Sequence, residues 1–196
     1  ARRDIFPEPY ITVLSPLQDE VPTIAFDELE PVLRNTYNDY SKVFRSIEKT
    51  PLASASLGQT HRAELNDGSL VVLKILKPGV KRTIDRDFAI LFYVLNFLSR
   101  FRAVREKVDL LQLLDEFVRV TGDELNFLRE IHILNILKKE LQKFPFLYIP
   151  KVYEELSSRD IIVMEYCSGD NISEVGKWKH RNNEPAIIAQ RLVDIY

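Results

Sequence analysis

Thr60-His61-Arg62-Ala63-Glu64-Leu65, then Asn66-Asp67-Gly68, then Leu70-Val71-Val72-Leu73-Lys74-Ile75, is the stretch that decides how this chain folds. Two β-prone runs flank a turn tripeptide, a strong hairpin signal. Side chains alternate faces along a strand, so Val71, Leu73 and Ile75 point one way and Val72 and Lys74 the other. A lysine in so apolar a run is costly to bury unless a carboxylate or a phosphate meets it. The plain alternative is an exposed lysine on the solvent face of an edge strand.

Working outward, Val43 to Ile47 reads as a short strand before the hairpin. Asp27 with Glu30 resembles a capping box that opens a helix over Glu28 to about Tyr37. The first residues hold Pro7, Pro9, Pro16 and Pro22, with a helix-like piece between Tyr10 and Leu17, and Pro31 lies further on. Downstream, Lys77-Pro78-Gly79 ends the sheet segment. Ile84, Phe88, Leu91, Phe92, Leu95 and Leu98 then recur at helical spacing. A second helical pattern begins near Asp109 and runs towards Lys143, bent or divided at Gly122. Lys151 to Leu156 and Ile161 to Tyr166 are two more strand candidates, joined by Ser157-Ser158-Arg159-Asp160. Asn183 and Pro185 open a last helix, whose apolar pattern of Ile187, Ile188, Leu192 and Ile195 is still running at Tyr196. The order predicts an α+β fold with a mostly antiparallel five-stranded sheet.

Composition narrows the function classes. Of the 196 residues, 45% are hydrophobic and 29% charged, which is globular rather than disordered composition. The net charge of −2 and the interspersed signs give no concentrated basic face, so a nucleic-acid partner is not expected. The single cysteine, Cys167, excludes an internal disulfide and suits a reducing compartment. The most apolar stretch, Phe88 to Phe101, is broken by Asn96, Ser99 and Arg100. It falls short of the ~18 apolar residues of a membrane span. The opening Ala1-Arg2-Arg3-Asp4 and the unfinished last helix read as a fragment of something longer.

Three further features bear on chemistry. Pro51-Leu52-Ala53-Ser54-Ala55-Ser56-Leu57-Gly58-Gln59 is a run of small residues directly upstream of the Lys74 hairpin. Such side chains let backbone N–H groups approach a phosphate, although close packing alone would also account for them. It is neither a Walker loop nor the glycine-rich loop of ordinary kinases. Glu124 and Glu130 lie on a predicted helix, six positions apart and so about 120° away from each other, unable to serve one partner together. A strand lysine followed by a helical glutamate is nonetheless the layout with which kinases position nucleotide phosphates. Finally, Ile161-Ile162-Val163-Met164-Glu165-Tyr166-Cys167-Ser168-Gly169 is an apolar strand running into a polar, glycine-ended segment, like the hinge that binds adenine.

At this point a family resemblance becomes specific. Pro51 to Ala63 resembles the alanine-rich loop of UbiB-type (aarF-domain) atypical kinases, P-x-A-x-A-S-x-G-Q-V-H-x-A. Val72-Leu73-Lys74-Ile75-Leu76-Lys77-Pro78-Gly79 resembles their V-A-V-K-V-x-x-P-G strand. Glu124-Leu125-Asn126-Phe127-Leu128-Arg129-Glu130 is similar to their E-L-D-F-x-x-E helix. Ile149-Pro150-Lys151-Val152-Tyr153 and Val163-Met164-Glu165 match their P-x-V-Y strand and M-E hinge. Leu17 to Pro22 resembles the segment that follows their K-x-G-Q signature. The likeness runs from about residue 2 to residue 175.

The resemblance implies a protein-kinase-like N-lobe with additional family-specific helices. Residues 1–42 would be a helical N-terminal extension, 43–167 the N-lobe with inserted helices, and 168–196 the hinge exit and start of a C-lobe. It implies a catalytic pair in which Lys74 contacts nucleotide phosphates and Glu130 holds it. Ala53, Ser54, Ala55, Ser56, Gly58 and Gln59 would cover the nucleotide, while Met164, Glu165 and Cys167 would contact adenine through the backbone. Glu124 and Asn126 fall on the family's E-x-D pair, with one negative charge missing at Asn126, and Thr60 replaces the usual Val. The implied cofactor is ATP or ADP with Mg, whose metal ligands are expected outside these residues, as is the catalytic loop.

By the same resemblance the protein is linked to ubiquinone or other isoprenoid-lipid metabolism, in the mitochondrion, plastid or bacterial cytoplasm. The alternative is a pseudokinase-like binding or regulatory module, which Asn126 favours. The missing C-lobe is the expected intramolecular partner. Peripheral membrane or isoprenoid-lipid contact by the aromatic helix from Ile84 to Arg102 is a further expectation. Core packing is preferred for that helix, because membrane-surface helices carry a strongly basic polar face.

Overall fold

The computed structural model describes Pro7 and residues 21–102, 106, 108–169 and 185–195. Its centre is the quoted hairpin, formed by β3 (Gly58–Leu65) and β4 (Leu70–Leu76). Gly68 adopts φ 87° at the turn, where a side chain would be strained, and Asp67 accepts from the Ser69 N–H at 2.8 Å. β1 (Phe44–Ile47) pairs with β3, β5 (Ile161–Glu165) pairs with β4, and the short β2 (Ala53–Ser54) pairs with the start of β3. The sheet has five strands, with order β1-β3-β4-β5 and every pairing antiparallel.

The fifth strand is not the one expected. Lys151 to Leu156 makes a single bridge, Val152 to Met164, and then closes into a 3-10 turn over Glu154–Leu156. A strand there would have set Glu154 on the same face as Val152 and Leu156. The turn instead brings Tyr153 and Leu156, three apart, onto the same core. β2, inside the small-residue loop, supplies the fifth strand.

Each face of the sheet has its own packing. Val71, Leu73 and Ile75 of β4, with Ile161 and Val163 of β5, are fully buried beneath α1 (Phe26–Tyr37). Burying each such side chain is worth about 1.5–3 kcal/mol. Helix α1 begins two residues before the position the capping box suggested. Ala25 has no side-chain acceptor, so the cap is half made: Glu28 Oε1 accepts the Ala25 N–H at 3.3 Å. The earlier start lets Phe26 reach the core. The Tyr37 hydroxyl donates to the Leu156 carbonyl, tying α1 to the 3-10 turn.

The opposite face carries Lys74. Ile162, Leu76 and Met164 pack there against Leu125, Phe127 and Ile131. After α2 (Val80–Leu98) the predicted long helix is two helices, α3 (Leu110–Glu124) and α4 (Phe127–Glu140). The break falls at Leu125–Asn126 rather than at Gly122, which stays inside α3. Asn126 caps α4, its side chain accepting from the Leu128 N–H at 3.3 Å, while Leu125 and Phe127 on either side are buried. Helices α2 and α3 pair through Phe88 and Phe117, whose rings meet edge-on at 5.6 Å. The last helix, α5 (Pro185–Ile195), runs over the residues expected of it. Tyr10 to Leu17, the Leu17–Glu20 part of the post-signature segment and Asn183 lie outside the described residues.

Candidate functional site

Strand alternation and the two-helix break together build the site. Lys74 Nζ donates to both carboxylate oxygens of Glu130, at 2.9 and 2.7 Å. It also lies 4.9 Å from the centre of the Phe127 ring. Glu130 can meet it because α4 starts afresh at Phe127 and lays its first turn across the sheet. The two side chains are 30% and 39% exposed, so the ammonium is partnered yet open to solvent on one side. Directly opposite Lys74 in the β3–β4 ladder stands Thr60, on the same face.

The small-residue loop turns back tightly beside this pair. The Ala55 N–H donates to the Gly58 carbonyl at 2.8 Å, and the Lys77 N–H to the Leu57 carbonyl at 2.8 Å. Ala53, Ala55 and Ser56 are exposed, whereas Gly58 is buried. A Cβ on Gly58 would sit 3.1 Å from the Ile75 carbonyl oxygen and 3.5 Å from Phe127 Cζ, so the close approach of β3 to β4 requires glycine. The Ser54 hydroxyl donates to the Pro22 carbonyl at 3.2 Å.

Gln59 departs from its expected place over the nucleotide. It neighbours Thr60, so alternation turns it to the α1 face, away from Lys74. There it is wholly buried and hydrogen-bonded to Ile24 and His61.

At the hinge, Met164 packs on the Lys74 face. The Glu165 and Tyr166 N–H groups donate to the Lys151 and Leu70 carbonyls. The Glu165 carboxylate accepts from the Tyr148 hydroxyl at 2.6 Å and from the Lys151 N–H at 3.2 Å. The Tyr148 hydrogen bond, then that of Lys151, holds Glu165 below the usual carboxylate range. Cys167 is exposed, its thiol pushed up by partial burial and by Glu165.

Glu124 and Asn126 come together with Glu130 after all. The separation that a single helix would impose does not apply, because Glu124 ends α3 and Glu130 belongs to α4. All three line a cavity of about 380 Å³ between those helices, with Arg119, Arg129 and Ile133. Asp123, also in its lining, pairs with both Arg119 and Arg129.

Sequence reasoning gave no role to Thr60, Phe127 or Tyr148. The first was signalled by alternation from Lys74 across the hairpin. Phe127 stood inside a quoted motif, while nothing in the sequence ties Tyr148 to Glu165. Among the described residues no group of three or more His, Cys, Asp and Glu side chains is placed to hold a metal ion.

Comparison with known proteins follows the same lines. The ABC1 atypical kinase-like domain matches residues 16–196. The probable protein kinase UbiB of Pseudomonas fluorescens (strain SBW25) is 31% identical over 196 residues, covering 100% of this chain and 37% of that protein. Its counterpart in Azotobacter vinelandii is 29% identical over 196 residues, covering 100% and 36%. Among solved structures, the complex of Rv3197 with erythromycin from Mycobacterium tuberculosis superposes with a TM-score of 0.69 at 26% identity, over 89% of this chain and 44% of that one. The chain therefore spans somewhat over a third of the UbiB relatives.

Proposed function

Because this chain belongs to the ABC1 atypical kinase-like family, we propose that it is the nucleotide-covering part of an atypical kinase or ATPase. The observation that carries the reading is the half-open Lys74–Glu130 pair beside a loop of small residues. A lysine held by a carboxylate is oriented before a phosphate arrives, which lowers the entropy lost on binding. Its ammonium would meet phosphate oxygens, the Ala53–Gly58 loop would lie over them, and the backbone from Glu165 to Cys167 would meet adenine. ATP or ADP fits this arrangement of one cation, a small-residue cover and a strand leaving the sheet. Magnesium would neutralise phosphate charge when bound. The described residues offer no group of three or more His, Cys, Asp or Glu side chains to hold it.

Phosphoryl transfer is proposed for the whole protein rather than for these residues, and the link to ubiquinone or other isoprenoid-lipid metabolism is proposed on the family resemblance alone. The test is calorimetric titration of the intact protein with ATP and ADP, with and without magnesium, beside the Lys74→Ala variant. Saturable binding that weakens at least about tenfold in the variant supports the reading. Equal binding by both proteins sinks it. A protein that binds nucleotide but neither hydrolyses nor transfers phosphate is the pseudokinase-like module that the neutral Asn126 favours.

A second reading concerns α2. Ile84, Phe88, Leu91 and Leu95 are half-buried, yet Ile90, Tyr93, Val94 and Phe97 form another stripe that is 57, 73, 48 and 57% exposed, and Phe101, just past the end of α2, meets Phe97 edge-on at 5.5 Å and is 50% exposed. Exposed Arg100 and Arg102 stand at its end. No described helix is long and apolar enough to cross a membrane. We infer that this stripe rests on an anionic bilayer surface. Intact protein should pellet with phosphatidylglycerol vesicles and lose that property in Phe97→Ser. Pelleting that is absent, or unchanged in the variant, removes the idea.

A further inference from the structure

Gln59 and His61 form a closed, buried hydrogen-bond circuit on the sheet face opposite Lys74, with neither side chain exposed. Gln59 Oε1 accepts the Ile24 N–H at 3.0 Å, and Gln59 Nε2 donates to the Ile24 carbonyl at 3.0 Å. The second Nε2 hydrogen of Gln59 faces His61 Nε2 at 3.0 Å. His61 Nδ1 faces the Glu48 carbonyl at 2.8 Å, which only a protonated Nδ1 can satisfy. One tautomer therefore fits: Nδ1 carries the hydrogen and Nε2 accepts.

The segment caught by this circuit crosses the root of the small-residue loop. Ser54 and Gln59 are cross-strand partners where β2 meets β3, one at each end of that loop. Ser54 and Lys77 both donate to the Pro22 carbonyl, at 3.2 and 3.1 Å. Residues 22–24 are thus strapped to both sides of the loop and to the end of β4.

We propose that Gln59 and His61 are positioning residues: a buried latch that fastens residues 22–24 across the root of the Ala53–Gly58 loop, holds only while His61 is neutral, and makes loop order depend on the N-terminal segment. The proposal rests on the loop's covering a nucleotide. The latch touches no ligand and acts through the loop backbone.

Protonation would place an Nε2–H against the Gln59 amide hydrogens. Flipping the Gln59 amide would restore that contact only by turning –NH2 onto the Ile24 N–H. Without the flip the Gln59–His61 bond is lost to a clash of donors, and with it both bonds to Ile24 are lost, the amide oxygen then facing the Ile24 carbonyl. The neighbours do not favour the cation. Phe26 of α1 meets the imidazole edge-on at 5.3 Å, and the facing β4 residue is Leu73. Among nearby charged groups, Glu48 pairs with Arg62 at 3.7 Å and Asp27 with Lys49 at 3.5 Å. Burial lowers the imidazole's basicity, with the Glu48 carbonyl acting more weakly the other way.

The test is hydrogen exchange on the intact protein without nucleotide, followed at residues 22–25 and 53–58 between about pH 7.5 and pH 5.5 and corrected for intrinsic rates. In the wild type, protection of both segments should fall together by about tenfold or more as pH drops. In Gln59→Ala both segments should be open at every pH, and nucleotide affinity should lose its acid dependence. His61→Asn should show a flat profile. Wild-type protection independent of pH overturns the latch, even if Gln59→Ala fails to fold. Opening of residues 22–25 with 53–58 unchanged overturns the coupling. A normal exchange profile without nucleotide binding would instead count against the nucleotide reading alone.

Discussion

Lys74 reaches across 56 positions of sequence to grip both carboxylate oxygens of Glu130, joining the middle of the sheet to the first turn of α4. Both partners are about one-third exposed, and such pairs contribute little to stability, about 1 kcal/mol or less. The pair's value therefore lies in orientation. Glu130→Gln should leave the urea midpoint nearly unchanged and weaken ATP binding by about threefold to tenfold. Combined with Lys74→Ala it should add almost nothing further, since the two act as a unit. Additive losses in a double-mutant cycle would show that they do not.

Two glycines should respond to alanine with opposite signs. At Gly58 the new methyl would press on the Ile75 carbonyl at 3.1 Å, backbone that cannot swing aside. Gly58→Ala should cost about 1–3 kcal/mol. Nothing lies within 4 Å of a Cβ at Gly122, in the interior of α3. Gly122→Ala should stabilise by about 0.5–1 kcal/mol through helix propensity. Urea denaturation of both variants checks the pair, and a destabilised Gly122→Ala would contradict the uninterrupted course of α3.

The hairpin was legible because alternation and turn chemistry agree over one short stretch, and the same alternation put Lys74 on the face opposite Val71, Leu73 and Ile75. Carried one residue further across the ladder, it also assigns Gln59 to the far face. The motif resemblance, which groups residues by order and not by direction, pointed the other way. What stayed hidden depends on tertiary choices. Lys151 to Leu156 is strand-like in composition, yet the core accepts Tyr153 and Leu156 together only from a turn. The α3–α4 break was masked because Leu125 and Leu128 continue a helical pattern through it. Asn126 looked like a lost charge, whereas locally it is a helix cap.

That cap can be tested apart from any role in ligand binding. Asn126→Ala removes the acceptor for the Leu128 N–H and should cost about 1 kcal/mol. Asn126→Asp keeps the acceptor and places a negative charge at the N-terminus of α4, with Arg119 and Arg129 on the same cavity. It should be neutral to slightly stabilising at pH 7. If Asp destabilised as much as Ala, capping would not be what Asn126 does.

The Tyr148–Glu165 bond should be visible in titration. Glu165 pushes the Tyr148 hydroxyl up to about 12, above its usual value near 10, and Tyr148 in turn holds Glu165 low. A raised phenol favours the folded state fully below its unfolded pKa and loses that contribution as pH rises through its folded value. A lowered carboxylate favours it fully above its unfolded pKa and loses that contribution as pH falls through its folded value. The bond should therefore hold across neutral pH and fail at both extremes. Burial pushes the Tyr37 hydroxyl up as well, and Glu30 that of Tyr40, so in the absorbance of ionised tyrosine Tyr148→Phe should remove one of several late-titrating groups. Glu165→Gln should move that group back towards the ordinary range. If Glu165→Gln kept as many late-titrating groups as the wild type, the hinge carboxylate would not be anchored by Tyr148.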